Sequence, residues 1–182
     1  MTAVEGSVVL RGKHVHLREG DLIVLSDRSI VSHVLRPFNA GWSHVVSVVL
    51  HEGRLRSFSV CMHGGLTIED IETYNAPHYT RLAVVRPSVA RTTEQTVRYR
   101  LGVADILRAH VKDAREAYDP GIAEFAHAFF HMRKPATENK YICSEICATL
   151  VRASGAWWPE RQSVSLRIDE LARIVGRPER VF

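Results

Sequence analysis

The chain has 182 residues, 46% of them aliphatic, aromatic or cysteine and 24% charged, a balance that suits one globular domain and excludes a disordered, collagen-like or low-complexity chain. The net charge of +4 comes from 24 basic and 20 acidic residues, and the arginines are scattered along the chain instead of gathered in one block, which argues against nucleic acid as a partner. No apolar run approaches the roughly 18 residues of a transmembrane helix, and the N-terminus lacks the basic and apolar regions of a secretory signal, so the sequence predicts no stable membrane insertion and a cytoplasmic location.

The first half reads as strands. His14–Leu17 is short and partly alternating. Asp21–Leu25 is a compact apolar run after Gly20. Ser29–Phe38 predicts one or two helical turns before a loop at Asn39–Trp42. His44–Leu50 is β-branched and apolar, the best strand in the chain. Gly53 gives a turn, and Leu55–Val60 alternates as a returning strand, so the two predict a hairpin. Gly64-Gly65 bends the chain, and Arg81–Val85 is a further strand closed by Pro87.

The second half reads as helices. From Glu94 to Tyr118, Val97, Leu101, Ala104, Leu107, Val111 and Ala114 recur at spacings of three and four, which predicts an amphipathic helix. Asp119-Pro120 reads as a cap and first position of another, through Ile122–His131. Cys143–Ser154 predicts a helix stopped by Gly155, and Ile168–Val175 one stopped by Gly176. Strands first and helices later point to an α+β domain with an antiparallel sheet.

The three cysteines, Cys61, Cys143 and Cys147, are too few and too oddly numbered for a disulfide framework. Cys143 opens a predicted helix, where the positive end of the helix dipole favours a thiolate. A cysteine nucleophile also needs a base. His44, at the mouth of the strongest strand, is placed to be one. The residues alone leave a plainer reading open, in which Cys143 is a small core residue and His44 a polar strand end. Cys147, one turn deeper, reads as a packed thiol. His127 and His131, with Cys143 and Cys147, contain the donors of a zinc site, but the spacing matches no common zinc module, so no metal and no cofactor is predicted. His14 and His16 read as a solvated strand face, Asp21 as a structural hydrogen-bonding group, Trp157-Trp158-Pro159 as a packing clamp, and Trp42 as a candidate wall of the cleft.

Three segments carry a resemblance: Gly20-Asp21-Leu22-Ile23, Trp42-Ser43-His44-Val45 and Tyr141-Ile142-Cys143-Ser144-Glu145, with Tyr118-Asp119 as a further match. In this order, histidine before cysteine, they resemble the circularly permuted branch of the NlpC-type papain-like superfamily, the YiiX-like group. The likeness spans roughly residues 18–175 of a single domain, 1–182. It implies a permuted papain-like fold, an antiparallel sheet or partial barrel packed on helices, with the nucleophile at a helix N-terminus. It further implies a thiol-dependent hydrolase acting on a peptide or acyl substrate, peptidoglycan stem peptides among them, with Cys143 as nucleophile and His44 as base. The family's third residue falls near Ser59 on the returning strand, with Ser57 and His63 as alternatives. No Asp or Glu occupies residues 54–68, a departure from the family's usual acidic or amide partner. An acyltransferase or thioester hydrolase of the same fold and a catalytically degenerate binding module stand as the other readings.

Overall fold

The computed structural model describes residues 3–61, 65–87, 90–110, 142–155 and 166–182. Two strands, β1 (Glu5–Leu10) and β2 (Lys13–Arg18), form a separate antiparallel hairpin. A six-stranded antiparallel sheet follows. It contains β3 (Leu22–Asp27), β4 (His44–His51), β5 (Arg54–Cys61), β6 (Gly65–Glu69), β7 (Tyr79–Val85) and β8 (Pro178–Arg180), in the order β6-β5-β4-β3-β7-β8. The helices are α1 (Ile30–Leu35), α2 (Thr93–Ala109), α3 (Cys143–Ala153) and α4 (Ile168–Val175), with 3-10 turns at Arg36–Phe38 and Ile71–Asn75.

The mixed α+β class and the antiparallel sheet agree with the sequence expectation. The β4–β5 hairpin turns at Glu52-Gly53, both at positive φ. The strand at Arg81–Val85 is the inner part of β7. The Cys143 and Ile168 helices begin where predicted. The long second-half helix, α2, ends at Ala109, short of the expected Tyr118, because His110 leaves helical geometry and caps it with its amide on the Ile106 and Leu107 carbonyls. The helix expected through Ile122–His131 lies outside the described residues.

Three strands escaped the sequence reading. β1 begins with the strand-poor Glu-Gly-Ser ahead of Val8-Val9-Leu10, β6 has five residues, and β8 has three and starts at a proline. Pro178 has no N–H to donate, and β8 is an edge strand, the place where a sheet tolerates proline.

Both faces of the sheet are covered. On one face Val24, Val45, Val49, Phe58, Val60, Ala83 and Val85 pack against α2, α3 and α4. On the other, Ile23, Leu25, Val46, Val48, Leu82 and Val84 pack against the β1–β2 hairpin and the Ile71–Asn75 turn. This double burial explains why β3 and β4 read as near-continuous apolar runs. A bidentate pair ties α2 to the entry of β3: Arg100 Nε and Nη2 meet Glu19 Oε1 and Oε2 at 2.8 and 2.6 Å. The Glu19 side chain is 1% exposed, so the arginine balances a charge that water scarcely reaches.

Candidate active site

One end of the sheet gathers the candidate residues. There β3 ends, β4 and β7 begin, and β5 ends. Asp21, at the far end of β3, has the structural role predicted for it: its Oδ2 accepts from the Arg18 amide at 2.9 Å, closing the turn into the strand.

Cys143 is the first residue of α3 and is half-buried. The Glu145 carboxylate accepts from the Ile142 amide at 3.2 Å and caps the helix start. This is a structural reason for a glutamate two residues after the cysteine. The Cys143 thiol lies against the backbone of Val45, the residue after His44. Burial pushes its pKa up to about 11, against the backbone amides of Val45, Ser144 and Cys143 itself, which favour the thiolate. The helix start therefore acts in the direction the sequence suggests, and burial outweighs it. Cys147 is fully buried, as expected of a packed thiol, with its Sγ 3.9 Å from the Val45 carbonyl.

His44 pairs with Leu25 across the β3–β4 ladder. Its Nε2 lies 3.1 Å from Ser59 Oγ, so of the three candidates for a third residue the serine on β5 meets the ring. Ser57 instead donates to the Glu69 carbonyl at 3.2 Å. His63 lies outside the described residues. The Ser59 hydroxyl is also 3.2 Å from the Val45 carbonyl, which can only accept. Donating its single proton there, the hydroxyl accepts from Nε2–H. That tautomer leaves the lone pair of the imidazole on Nδ1. Burial pushes the His44 pKa down to about 4, opposed by the Asp27 carboxylate. At neutral pH the resting groups are thus a thiol and a neutral imidazole.

The strand alternation separates the two groups. Val45 belongs to the helix-side core, where Cys143 packs, while Val46 and Val48 belong to the hairpin-side core. His44 alternates with Val45, and Ser59 with Phe58 and Val60, so the His44–Ser59 contact belongs to the hairpin side. Among the described residues no hydrogen bond joins the Cys143 thiol to the His44 ring. The two flank the Val45 peptide.

Asp27 was missed in the sequence. Its carboxylate accepts from the Ser29 amide at 2.8 Å, which looks like ordinary turn capping, and only the β3–β4 pairing brings its charge within reach of His44. Trp42, 7% exposed, packs into the helix-side core as Cys143 does. His14 and His16 are exposed on β2, as predicted.

His127, His131, Tyr118-Asp119, Tyr141 and Trp157-Trp158-Pro159 lie outside the described residues. Among those described, no three His, Cys, Asp or Glu side chains gather as a metal site requires. No described helix is long and apolar enough to cross a membrane.

Among solved structures, the chain is similar to metalloprotein YiiX from Escherichia coli O157:H7, with a TM-score of 0.52 and 17% identity over 75% of this chain. The fold is YiiX-like. The match spans 65% of the YiiX chain. At this identity the likeness concerns the fold. No protein-family model matches the sequence, and no curated protein matches it.

Proposed function

We propose that the protein is a thiol-dependent hydrolase of permuted papain-like architecture, with Cys143 as nucleophile, His44 as base and Ser59 as the residue that positions the base. The observation that carries this reading is the juxtaposition at one strand mouth. A helix-start thiol lies against the amide of Val45, and the preceding residue is a histidine whose Nε2 is held by a serine. Because the resting groups are neutral, the chemistry is general-base catalysis. His44 Nδ1 accepts the thiol proton as sulfur bonds to the carbonyl carbon of an amide. The C–N bond then breaks, and the amine leaves with that proton. Water hydrolyses the thioester, releasing the acid and restoring the thiol. Backbone amides at the start of α3 face the developing oxyanion. Closing the pair requires the His44 ring to turn at the strand mouth towards Cys143. The substrates in view are small peptides, peptidoglycan stem peptides among them, or acyl esters. Cytosolic action is part of the same reading.

The separation of ring and thiol across the Val45 peptide favours a second reading, a peptide- or lipid-binding module without turnover. Alkylation decides between them. Cys143 is mapped by mass spectrometry after timed exposure to iodoacetamide at neutral pH, in the wild type and in His44→Ala. A fast Cys143 reaction that slows by about tenfold or more without the histidine supports the hydrolase. A rate no faster than that of a buried thiol, unchanged in His44→Ala, removes it.

A further inference from the structure

We infer that Arg36, Arg81 and Arg180 form an oxyanion subsite beside Trp42, which receives the carboxylate or phosphate of an anionic substrate; the word substrate here rests on the hydrolase reading above.

Arg81 and Arg180 lie on the helix-side face of β7 and β8, and Arg36 reaches the same end of the sheet. Arg81 lies 4.3 Å over the Trp42 ring and donates from Nη1 to the Gly41 carbonyl at 3.0 Å. The turn is shaped for it. Gly41 has φ +88°, and a Cβ there would stand 1.9 Å from Arg81 Nη1. Arg36 reaches in from its 3-10 turn, bonding the Asp27 carbonyl and, at 3.0 Å, Thr80 Oγ1. Its Nε is buried and has no partner. Arg180 is opposite Ala83 in the β7–β8 ladder, which makes it the diagonal neighbour of Arg81 on the same face.

Among the described residues none of the three forms an ion pair with Asp or Glu, in contrast to Arg18, Arg56, Arg86, Arg98, Arg100, Arg108, Arg167 and Arg173, a lack shared with Arg11, Arg28, Arg54, Arg91, Arg152 and Arg177 but here combined with a shared location. Burial, then Arg180 and Arg36, lower the pKa of Arg81, as expected of like charges brought together. Arginine is suited to planar two-point contact with carboxylate and phosphate, and stacking on an indole fixes the plane it presents. Trp42 is two residues from His44 and packs on the same core cluster as Cys143. An oxyanion held here supplies a negative charge that no described Asp or Glu side chain supplies to these three arginines.

Paired alkylating agents test this. Iodoacetate and iodoacetamide differ in charge and little in size. Their rate ratio at Cys143 reports recruitment of an anion, while the absolute iodoacetamide rate and its dependence on His44 report the hydrolase reading, so the two can fail separately. The expected ratio exceeds that of glutathione in the same buffer by about tenfold or more, the factor lost with one charge-assisted contact. It falls towards the glutathione value in Arg81→Gln and in Arg180→Gln, the latter at an exposed position that leaves the core untouched. Inorganic phosphate slows iodoacetate and spares iodoacetamide. A wild-type ratio at or below that of glutathione, or one unchanged in both variants, overturns the subsite. If Cys143 is inert to both reagents, calorimetric titration with inorganic phosphate decides. Saturable heat in the wild type that is lost in Arg180→Gln supports the site, and its absence in the wild type rejects it.

Discussion

Both faces of the sheet bury apolar residues but present different polar chemistry. The helix side holds the half-buried thiol of Cys143, backbone amides, and Arg81 and Arg180, which form no ion pair among the described residues. The hairpin side holds His44, Ser59 and Asp27, a base with an orienting hydroxyl and a nearby carboxylate. On the proposed hydrolase reading each face alone is incomplete: one has the nucleophile, the other the base. The difference teaches that this reading depends on how the first residue of β4 crosses from one face to the other. The Val45 peptide, which touches the thiol and precedes the alternation towards Val46, is the hinge of that relation.

Substitutions can break this comparison. The largest expected effect is chemical. Cys143→Ala lowers turnover of any peptide or ester substrate by roughly 10⁴-fold or more, as losing the nucleophile does in comparable enzymes, whereas Cys147→Ala changes it little. Measured kcat/KM on one substrate panel checks both. Equal losses would mean that the two thiols share a structural role.

The next effects are on stability. Leu150→Ala on α3 and Leu82→Ala on β7 remove fully buried side chains from opposite faces, and each costs about 3 kcal/mol in urea unfolding. A markedly smaller cost on one side would show that face to be the looser of the two. Arg100→Ala strands the buried Glu19 carboxylate and costs about 3 kcal/mol, while Arg98→Ala, which breaks an exposed i,i+4 pair with Glu94, costs about 0.5 kcal/mol.

The pH dependence sharpens the comparison further. His44 titrates near 6.5 when unfolded and about 4 when folded, so below pH 6.5 the unfolded state binds the extra proton first. Stability contributed by the neutral ring is present above pH 6.5 and is lost as pH falls towards 4. Cys143 behaves in the opposite sense: with its pKa raised from 9 to about 11, stability is present below pH 9 and is lost between 9 and 11. Unfolding midpoints against pH in the wild type, His44→Gln and Cys143→Ala check both windows: each variant removes its own group's part, and the raised thiol of Cys147 keeps a share of the alkaline one.

The smallest effect is that of Ser59→Ala, about 1 kcal/mol from one hydrogen bond. Its signature is spectroscopic. Nitrogen chemical shifts of the His44 ring move from the Nε2–H tautomer to a mixture, a change that simple loss of packing does not produce.

Much of the candidate site was legible in the sequence because each part is local. A cysteine opening a helix and a histidine opening a β-branched strand follow from periodicity and turn residues within one or two elements, while the serine on the returning strand of the hairpin is what the family resemblance implies. Ser59 could be singled out against Ser57 only to within one pleat, and the cross-strand contact with His44 separates them. Asp27, Arg36, Arg81 and Arg180 gave no such signal. They meet through β3–β4, β3–β7 and β7–β8 pairings and a 3-10 turn from distant stretches of chain, and scattered arginines look alike until the ladder puts Arg81 and Arg180 on one face and the turn brings Arg36 to Thr80.

The sequence by itself determined the elements that carry the site, because helix and strand periodicity, Gly stops and β-branched runs act over a few residues. It also determined that β3 and β4 are buried strands. It did not determine which way each of their side chains points, since a strand covered on both faces is apolar at every position and carries no period-two mark. Only the tertiary structure decided that His44 turns with Val46 while Cys143 packs beside Val45, and that burial outweighs the helix start in keeping the thiol protonated. Both follow from which elements cover which face of the sheet.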